Sequence, residues 1–215
     1  MKKPPKISVI VPSLNDGFHA RRHTAPLSKD PSIEVVIAEA REVGRANRAA
    51  QMNWGAARAR GDLLVFLHAD TKIAPVDLKT VHRRLQEQAD CVGGAFRFAL
   101  DASHAKAKWV EFGVLLRELA FGLPYGDQAI FVRREIFREI GGYPEAPLME
   151  DVLLIEKMKS KGRLYLAPEK AFTSARRWER HGYVKTTLAN WGTMLLWKAG
   201  FSLKTLQGLR ERVFS

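Results

Sequence analysis

An unbroken apolar run at residues 63–67, Leu-Leu-Val-Phe-Leu, constrains the fold of this chain more than any other segment. A run without polar alternation is typical of a strand that is covered on both faces, as in a parallel sheet. Shorter β-rich segments precede it at 6–11 and 33–38, with helical patterns between and after the strands. Strands that alternate with helices predict an α/β fold with a mostly parallel central sheet flanked by helices.

The same alternation continues along the rest of the chain. Strands are predicted at three further places, 91–100, 129–132 and 163–167. Helices are predicted at 51–60, 75–88, 133–140 and 149–161, and from about Lys185 onward. No element is predicted between 101 and 128. We expect one α/β domain over 1–187 and an amphipathic helical segment over 188–215.

Composition is that of a folded protein without covalent crosslinks. Hydrophobic residues make up 46% of the 215 residues, which is ample for a core at this length. Cys91 is the single cysteine, which excludes an intramolecular disulfide and a multi-cysteine zinc site. No apolar run matches a signal-peptide core or the ~20 residues that span a bilayer. We expect a cytoplasmic protein, either free or peripheral on the inner membrane face.

The charge balance is strongly basic, with 35 Lys and Arg against 23 Asp and Glu and a formal net charge of +12. This balance indicates an anionic partner: a nucleic acid, an acidic membrane face or a phosphorylated small molecule. The basic residues are spread along the chain, and no signature of an RNA- or DNA-binding motif occurs. A nucleic acid is therefore the weakest of the three partners.

Asp70 follows the buried strand, in the segment Phe66-Leu67-His68-Ala69-Asp70-Thr71. The carboxyl edge of an open α/β sheet is where such folds bind ligands. A carboxylate there can hold Mg²⁺ or Mn²⁺ against a diphosphate, because hard cations prefer oxygen ligands. The alternative is an Asp-Thr turn that only caps a helix.

Three other segments carry candidate chemistry. Glu150 and Asp151 open a helix, where one acid can serve as a general base or both can merely complement the helix dipole. The Arg176-Arg177-Trp178 segment can grip a phosphate and stack on a ring, or form a basic surface loop. Gly93-Gly94 and the segment 124–128 permit close approach of a ligand to the backbone, or mark plain turns.

Taken in order, these segments resemble family 2 glycosyltransferases, which have the GT-A fold and transfer a sugar from a nucleotide with inversion. The resemblance covers nearly the whole chain and is closest to a small bacterial subgroup labelled radical-SAM/selenodomain-associated, or arsenosugar-type. The segments that carry it are V-I-V-P-S-L-N-D (9–16), Q-M-N-W-G-A (51–56), G-D-L-L-V-F-L-H-A-D-T (61–71), G-G-A-F (93–96), P-Y-G-D-Q-A-I-F-V-R-R (124–134), G-G-Y-P (141–144), P-L-M-E-D (147–151) and R-R-W-E (176–179).

The resemblance implies a role for each matching residue. Asp151 is implied to be the catalytic base, with Glu150 orienting the helix end or the acceptor. Asp70 is the implied ligand of Mg²⁺ or Mn²⁺, with His68 where the family's first acid stands. Residues implied to bind the nucleotide sugar are Pro12, Asn15, Asp16, Glu39, Asn53, His68, Ala69, Asp70, Gly94, Arg177 and Trp178. Residues implied to face the acceptor are Tyr125, Gly126, Asp127 and Gln128.

The region between Glu39 and Gln51 departs from the family pattern. Relatives have a Gly-Ser-rich loop, a helix and a further strand here, whereas this chain reaches Gln51 within about a dozen residues. The nucleotide pocket is then expected to be remodelled, more open or completed by a partner. Besides an active transferase, the sequence leaves open a catalytically impaired relative that acts as a binding or scaffold protein.

The C-terminal segment mixes Trp, Leu and Lys at helical spacing between Leu188 and Phe214. This pattern suits a helix that lies on an anionic bilayer. The alternatives are a terminal helix packed on the sheet and a contact in a homodimer. The expected partners are a nucleoside-diphosphate sugar and a hydroxyl acceptor, either a small molecule or lipid-linked.

Overall fold

A computed structural model describes residues 5–14, 17–44 and 46–214. Within these residues the strands form a seven-stranded sheet in the order β2-β1-β3-β6-β5-β7-β4. The strands are β1 (Ile7–Ser13), β2 (Ile33–Glu39), β3 (Leu63–Phe66), β4 (Thr71–Lys72), β5 (Cys91–Leu100), β6 (Ile130–Arg133) and β7 (Arg163–Thr173). All run in one direction except β4 and β6. The predicted α/β fold with a mostly parallel sheet is confirmed.

Helices cover both faces of this sheet. They are α1 (Phe18–Ser28), α2 (Ala40–Val43), α3 (Arg48–Arg58), α4 (Pro75–Glu87), α5 (Ala105–Phe121), α6 (Arg134–Glu139), α7 (Glu150–Lys159), α8 (Arg176–His181), α9 (Tyr183–Lys198) and α10 (Leu203–Phe214), with a 3₁₀ turn at Gly126–Gln128. In the described part of the chain, none of these helices has the length and apolarity needed to cross a membrane.

The apolar run that predicted a doubly covered strand is β3. Its four residues are at most 2% exposed, because β3 lies between β1 and β6 with helices on both sides. Ile10 and Phe66 belong to the core cluster on one face of the sheet, whereas Val9 and Val65 belong to the cluster on the other. The run thus places the loop that follows it, with Asp70, at the carboxyl edge of the sheet.

Strand β7 and helix α5 differ from the sequence prediction, and the short elements β4, α2 and α8 were not predicted. Strand β7 continues to Thr173 rather than ending at Ala167, because the chain bulges at Pro168 and Glu169 and then resumes pairing with β5 at Lys170. Helix α5 occupies most of the segment for which no element was predicted. Its apolar residues lie on its buried face and also on its exposed face, so the amphipathic period is weak.

The predicted helical C-terminal segment is confirmed and consists of two helices. They are separated at Gly200, whose φ of 91° lies in the region that favours glycine. Met194 of α9 and Leu206 of α10 are buried in the same cluster as Ile10. The segment therefore packs on the core of the sheet through these two side chains and through the partly buried Leu196, Trp197 and Leu203, while Leu188 and Leu195 stay exposed.

Candidate active site

A cleft of about 790 Å³ opens at the carboxyl ends of β1 and β3. Its walls come from the loop after β3, the 3₁₀ turn and the first turns of α7 and α8, and from α9 and α10. Ten of the predicted site residues line it: Pro12, His68, Ala69, Asp70, Tyr125, Asp127, Glu150, Asp151, Arg177 and Trp178. Sequence positions more than 150 residues apart thus meet around one space.

Asp151 is held at the start of α7 by two backbone donors. Its Oδ2 accepts a hydrogen bond from the Gly126 N–H at 2.6 Å, and its Oδ1 accepts one from the Val152 N–H at 2.8 Å. A Cβ on Gly126 would lie 2.9 Å from His68 Nε2 and 3.2 Å from Asp151 Oδ2, so glycine alone fits between them. Gly126 does not line the cleft itself; it positions the carboxylate that does.

Glu150, the neighbouring acid, is nearly buried and paired. Arg48 Nη1 lies 3.1 Å from its Oε1. Burial first, and then the charge of Asp151, raise the pKa of Glu150, and Arg48 opposes that shift. The two acids therefore differ: Glu150 is paired with an arginine, whereas within the described part of the chain Asp151 is hydrogen-bonded to backbone N–H groups alone.

Asp70 also lines the cleft and is accessible from it. Its side chain is 39% exposed, and Arg176 Nη2 lies 3.8 Å from its Oδ2. Its carbonyl oxygen accepts a hydrogen bond from the Ser174 N–H at 3.1 Å, which ties the loop after β3 to the start of α8. An accessible carboxylate beside an arginine can bind a divalent cation and a phosphate together.

Asp127 is a half-buried acid, and its Oδ1 atom is itself buried. Its Oδ1 has no hydrogen-bond partner within the described residues. Burial raises the pKa of Asp127 to about 6; Arg117 opposes the shift, and the charge of Asp151 adds to it. A carboxylate kept in this state is available to a ligand hydroxyl, a cation or a proton.

Replacing Asp127 with asparagine should raise the free energy of unfolding at pH 7 by about 1–3 kcal/mol. Between the ordinary pKa of an aspartate and about pH 6, the Asp127 carboxyl keeps its proton in the folded chain and loses it in the unfolded chain. The free energy of unfolding of the wild type therefore falls as the pH rises through this range. Urea unfolding at neutral pH and near pH 4 measures the free energy of unfolding of Asp127→Asn and of the wild type. The advantage of the variant over the wild type should be smaller at the lower pH. Asp101→Asn, at an exposed ion pair with Lys72, is the control. An advantage of Asp127→Asn that does not change with pH would contradict this account.

His68 carries no charge in this environment. Burial first, and then the charges of Arg48 and Arg177, lower the pKa of His68 to about 3. A neutral imidazole has one nitrogen free to accept a hydrogen bond or a metal. His68 therefore adds no positive charge to the cleft, although it stands where the family's first acid is expected.

Arg177 and Arg210 bring positive charge into the cleft without a carboxylate partner among the described residues. Arg210 Nη2 donates to Asn190 Oδ1 at 2.8 Å, and its Nη1 donates to Thr193 Oγ1 at 3.4 Å. Burial first, and then Arg177, lower the pKa of Arg210 to about 10. Two arginines in one cleft that lack a carboxylate partner in the described part of the chain suit an anionic ligand.

Trp178 lines the cleft but belongs mainly to the core. It is 4% exposed, and its ring lies 5.8 Å from that of Phe98. Its Nε1 has no hydrogen-bond partner within the described residues. Tyr125 also lines the cleft. Its hydroxyl donates a hydrogen bond to the Asn190 carbonyl at 3.4 Å, and its ring stacks under Arg117.

Four more of the predicted residues lie outside the lining, and they act within the protein. The Asn53 amide bonds the backbone of Tyr143 in both directions, at 2.9 and 2.8 Å. Gly94 lets β5 approach β7 closely, since a Cβ there would lie 1.7 Å from the backbone carbonyl oxygen of Tyr165. Gln128 is fully buried and forms hydrogen bonds with Phe96, Glu118, Arg117 and the Tyr125 N–H.

Two further predicted residues, Asn15 and Asp16, lie outside the described residues.

Glu39, the fourth, is buried beside the cleft. Arg21 and Arg41 pair with its carboxylate at 2.7 and 2.6 Å. Beyond it, the shortened connection consists of the four-residue helix α2 and a turn at Gly44. Gln51 closes the region by donating from Nε2 to the carbonyl oxygens of Ser13 and Ala38, both at 2.7 Å, and it also lines the cleft.

Several lining residues were not predicted as ligands. They include Arg48, Asn190, Thr193 and Arg210. In the sequence, Arg48 is one of three arginines between 41 and 48 and belongs to none of the segments that carry the resemblance. The other three lie on α9 and α10, where the sequence shows helical spacing and no motif that connects them with the sheet edge.

Comparison with known proteins agrees with this geometry. A model of glycosyl transferase family 2 matches residues 20–141, more than half of the chain. No curated protein matches the sequence. Among solved structures, the mannosyltransferase PcManGT from Pyrobaculum calidifontis, in complex with GDP-Man and Mn²⁺, superposes with a TM-score of 0.60 and 16% identity. That match covers 87% of this chain and 64% of the mannosyltransferase.

S. aureus TarS 1-349 superposes with a TM-score of 0.55 and 13% identity, over 97% of this chain and 69% of that one. At these identities the likeness shows the fold, and this chain spans less than two thirds of the length of the mannosyltransferase. The family model and the shared GT-A architecture agree. The chain belongs to glycosyltransferase family 2.

Proposed function

We propose that this chain is an inverting glycosyltransferase that moves a sugar from a nucleoside-diphosphate sugar to an acceptor hydroxyl in a single displacement. The observation that carries the proposal is that Asp70 and Asp151 line one cleft together with Arg177 and Arg210, which have no carboxylate partner among the described residues. The family supports a nucleotide-sugar donor, and so does the GDP-Man bound by the similar mannosyltransferase.

In this mechanism Asp151 removes the proton of the acceptor hydroxyl. The acceptor oxygen forms a bond to the anomeric carbon while the bond to the diphosphate breaks on the opposite face. The two backbone hydrogen bonds to Asp151 hold its carboxylate in place, and no arginine among the described residues forms an ion pair with it. Glu150, paired with Arg48, positions the first turn of α7 beside it.

The side chains fit Mg²⁺ or Mn²⁺ as part of a site that the substrate completes. Among the described residues, no group of three or more His, Cys, Asp or Glu side chains is arranged to hold a metal. Divalent ions at phosphates often take only one or two carboxylates, and Asp70 is an accessible one. When bound, such an ion neutralises charge on the departing diphosphate. Arg176 and Arg177 would share that task from α8.

The finer identity of the enzyme is also proposed. The His-Ala-Asp segment at 68–70 supports the radical-SAM/selenodomain-associated subgroup. Tyr125 and Asp127 line the wall beside Asp151, which supports an acceptor on that side. We propose a cytoplasmic enzyme whose acceptor is a small or lipid-linked hydroxyl compound, with anionic membrane and a second copy of the chain as candidate partners.

A thermal-shift screen of nucleotide sugars with and without Mn²⁺ tests the proposal. A ligand at about 100 times its Kd stabilises the folded chain by ~2.7 kcal/mol, so a true donor gives a clear metal-dependent rise in Tm. A donor that binds but is never turned over would assign the chain to the catalytically impaired, binding role that its short connection after Glu39 suggests. No rise with any nucleotide sugar would contradict the proposal.

A further inference from the structure

Helix α5 presents a row of large apolar side chains to solvent. The row consists of Trp109, Phe112, Leu116 and Leu119, which are between 44 and 74% exposed. Their spacing of three or four residues puts them on one face of the helix. The opposite face of α5 is buried through Val110 and Val114. The row therefore makes no contribution to the core contacts of α5, which come from the opposite face.

Helix α9 carries a second row of the same kind. Val184, Leu188 and Leu195 are between 51 and 63% exposed and are again spaced for one face, with the half-buried Trp191 between them. Exposed apolar side chains scattered singly are ordinary, but two rows on neighbouring helices mark an interaction surface.

The two rows adjoin. Trp109 and Val184 line one shallow depression. A Cβ on Gly113 would lie 3.9 Å from Thr187, and the rings of Phe121 and Trp191 are 6.1 Å apart. These contacts follow both helices in the same direction, so α5 and α9 lie side by side. We name the two rows together the α5–α9 face.

The charge around the α5–α9 face is mostly positive. Its exposed lysines are Lys106 and Lys108 on α5 and Lys185 and Lys198 on α9. Helix α9 contains no acidic residue. The two acids of α5 are engaged within the protein: Glu111 accepts from the Leu100 N–H at 2.9 Å, and Glu118 accepts from Gln128 Nε2 at 2.6 Å. Glu179 borders the depression beside Lys106 and Lys185.

We propose that the α5–α9 face docks on an anionic lipid bilayer. Apolar side chains that can enter the headgroup region, flanked by lysines, fit such a surface, because anionic lipids attract the cations while the apolar rows leave water. A second copy of this chain fits it less well, since a symmetric dimer through this face would bring lysines against lysines. The C-terminal helix α10 takes a different role, because its Leu206 is buried in the core.

Docking through this face would hold the cleft beside the membrane. Asn190 and Thr193 of α9 line the cleft, so one helix contributes to both the cleft and the docking face. Lipid binding is measured without any donor or acceptor. The inference therefore stands or falls independently of the proposed sugar transfer.

Vesicle co-sedimentation of the full chain tests the inference. We expect binding to phosphatidylcholine vesicles that contain about 30 mol% phosphatidylglycerol, and at least about tenfold weaker binding to phosphatidylcholine alone or in high salt. Phe112→Ser with Leu116→Ser, and separately Leu188→Ser with Leu195→Ser, should each weaken binding about tenfold. Val76→Ser, on α4 and 61% exposed, is the matched control and should bind as wild type.

The charge contribution has its own pair of variants. Lys106→Glu with Lys185→Glu should weaken binding, whereas Arg22→Glu on α1 with Lys29→Glu just after α1, an equal change of charge, should not. Thermal melts confirm that each variant is folded. The inference is overturned if wild type stays in the supernatant with the anionic vesicles, or if both apolar double variants bind like wild type. It is also overturned if sedimentation velocity shows a dimer that these variants abolish.

Discussion

Asp151→Asn should lower kcat by roughly 10²–10⁴-fold, the usual contribution of a general base, while leaving the Kd of the donor nearly unchanged. The amide keeps the size of the carboxylate and one oxygen that can accept a hydrogen bond from Gly126 or Val152. It cannot take a proton from an acceptor hydroxyl. Release of the nucleoside diphosphate measures kcat, and calorimetry measures donor binding.

Glu150→Gln is the matched control for this variant. It makes the same chemical change one residue away, at a carboxylate that Arg48 already neutralises at 3.1 Å. We expect a much smaller loss of turnover from Glu150→Gln than from Asp151→Asn. Full turnover in Asp151→Asn, or an equal loss in both variants, would remove Asp151 from the role of base.

Asp70→Ala should weaken the binding of a nucleoside diphosphate in the presence of Mn²⁺ by at least about tenfold, or ~1.4 kcal/mol. The reason is that Asp70 is an accessible carboxylate in the cleft just after β3, where it can bind the cation that the diphosphate also binds. Without Mn²⁺ the variant and wild type should bind the nucleotide similarly. Calorimetry with GDP and UDP, each with and without the ion, separates the two effects.

Asp62→Ala serves as its control, because Asp62 pairs with His82 on an exposed surface away from the cleft. It should bind the nucleotide and the ion as wild type does. If Asp70→Ala keeps the wild-type Kd with Mn²⁺, then Asp70 does not hold the ion and the metal assignment fails.

Much of the fold could be predicted because local pattern and final burial agree. The run at 63–67 is apolar on both faces since β3 is buried on both faces, and the alternation at 91–100 gives β5 without error at either end. Where they disagree, prediction failed. Pro168 resembles a strand end, but β7 passes it in a bulge, and α5 hides its period by presenting apolar residues to solvent.

The candidate site was predictable where ligand-facing residues adjoin strand or helix ends. Asp70 and Asp151 are such residues, and both line the cleft. Motifs could not separate residues that face the cleft from residues that support it. Asn53, Gly94 and Gln128 lie within matching motifs but support the fold. The Asn53 amide binds the backbone of Tyr143, and the Gln128 side chain binds the 3₁₀ turn. Gly94, which has no side chain, lets β5 approach β7.

Arg210 of the C-terminal helix α10 marks the other limit of sequence reasoning. Arg210 reaches the cleft only because Met194 and Leu206 dock α9 and α10 on the core. That contact is set by packing between segments far apart in the chain, which no local spacing encodes. Part of the excess of basic residues thus lies at two places in the structure: arginines line the cleft, and lysines flank the α5–α9 face.

The most direct test of the account is the configuration of the sugar when it first leaves the donor. With the donor from the thermal-shift screen, proton NMR at early times can follow the anomer that forms when water takes the place of the acceptor, before mutarotation. Single displacement assisted by Asp151 predicts a first product of inverted configuration, formed far more slowly by Asp151→Asn. A first product of retained configuration, or no cleavage of any donor, would contradict it.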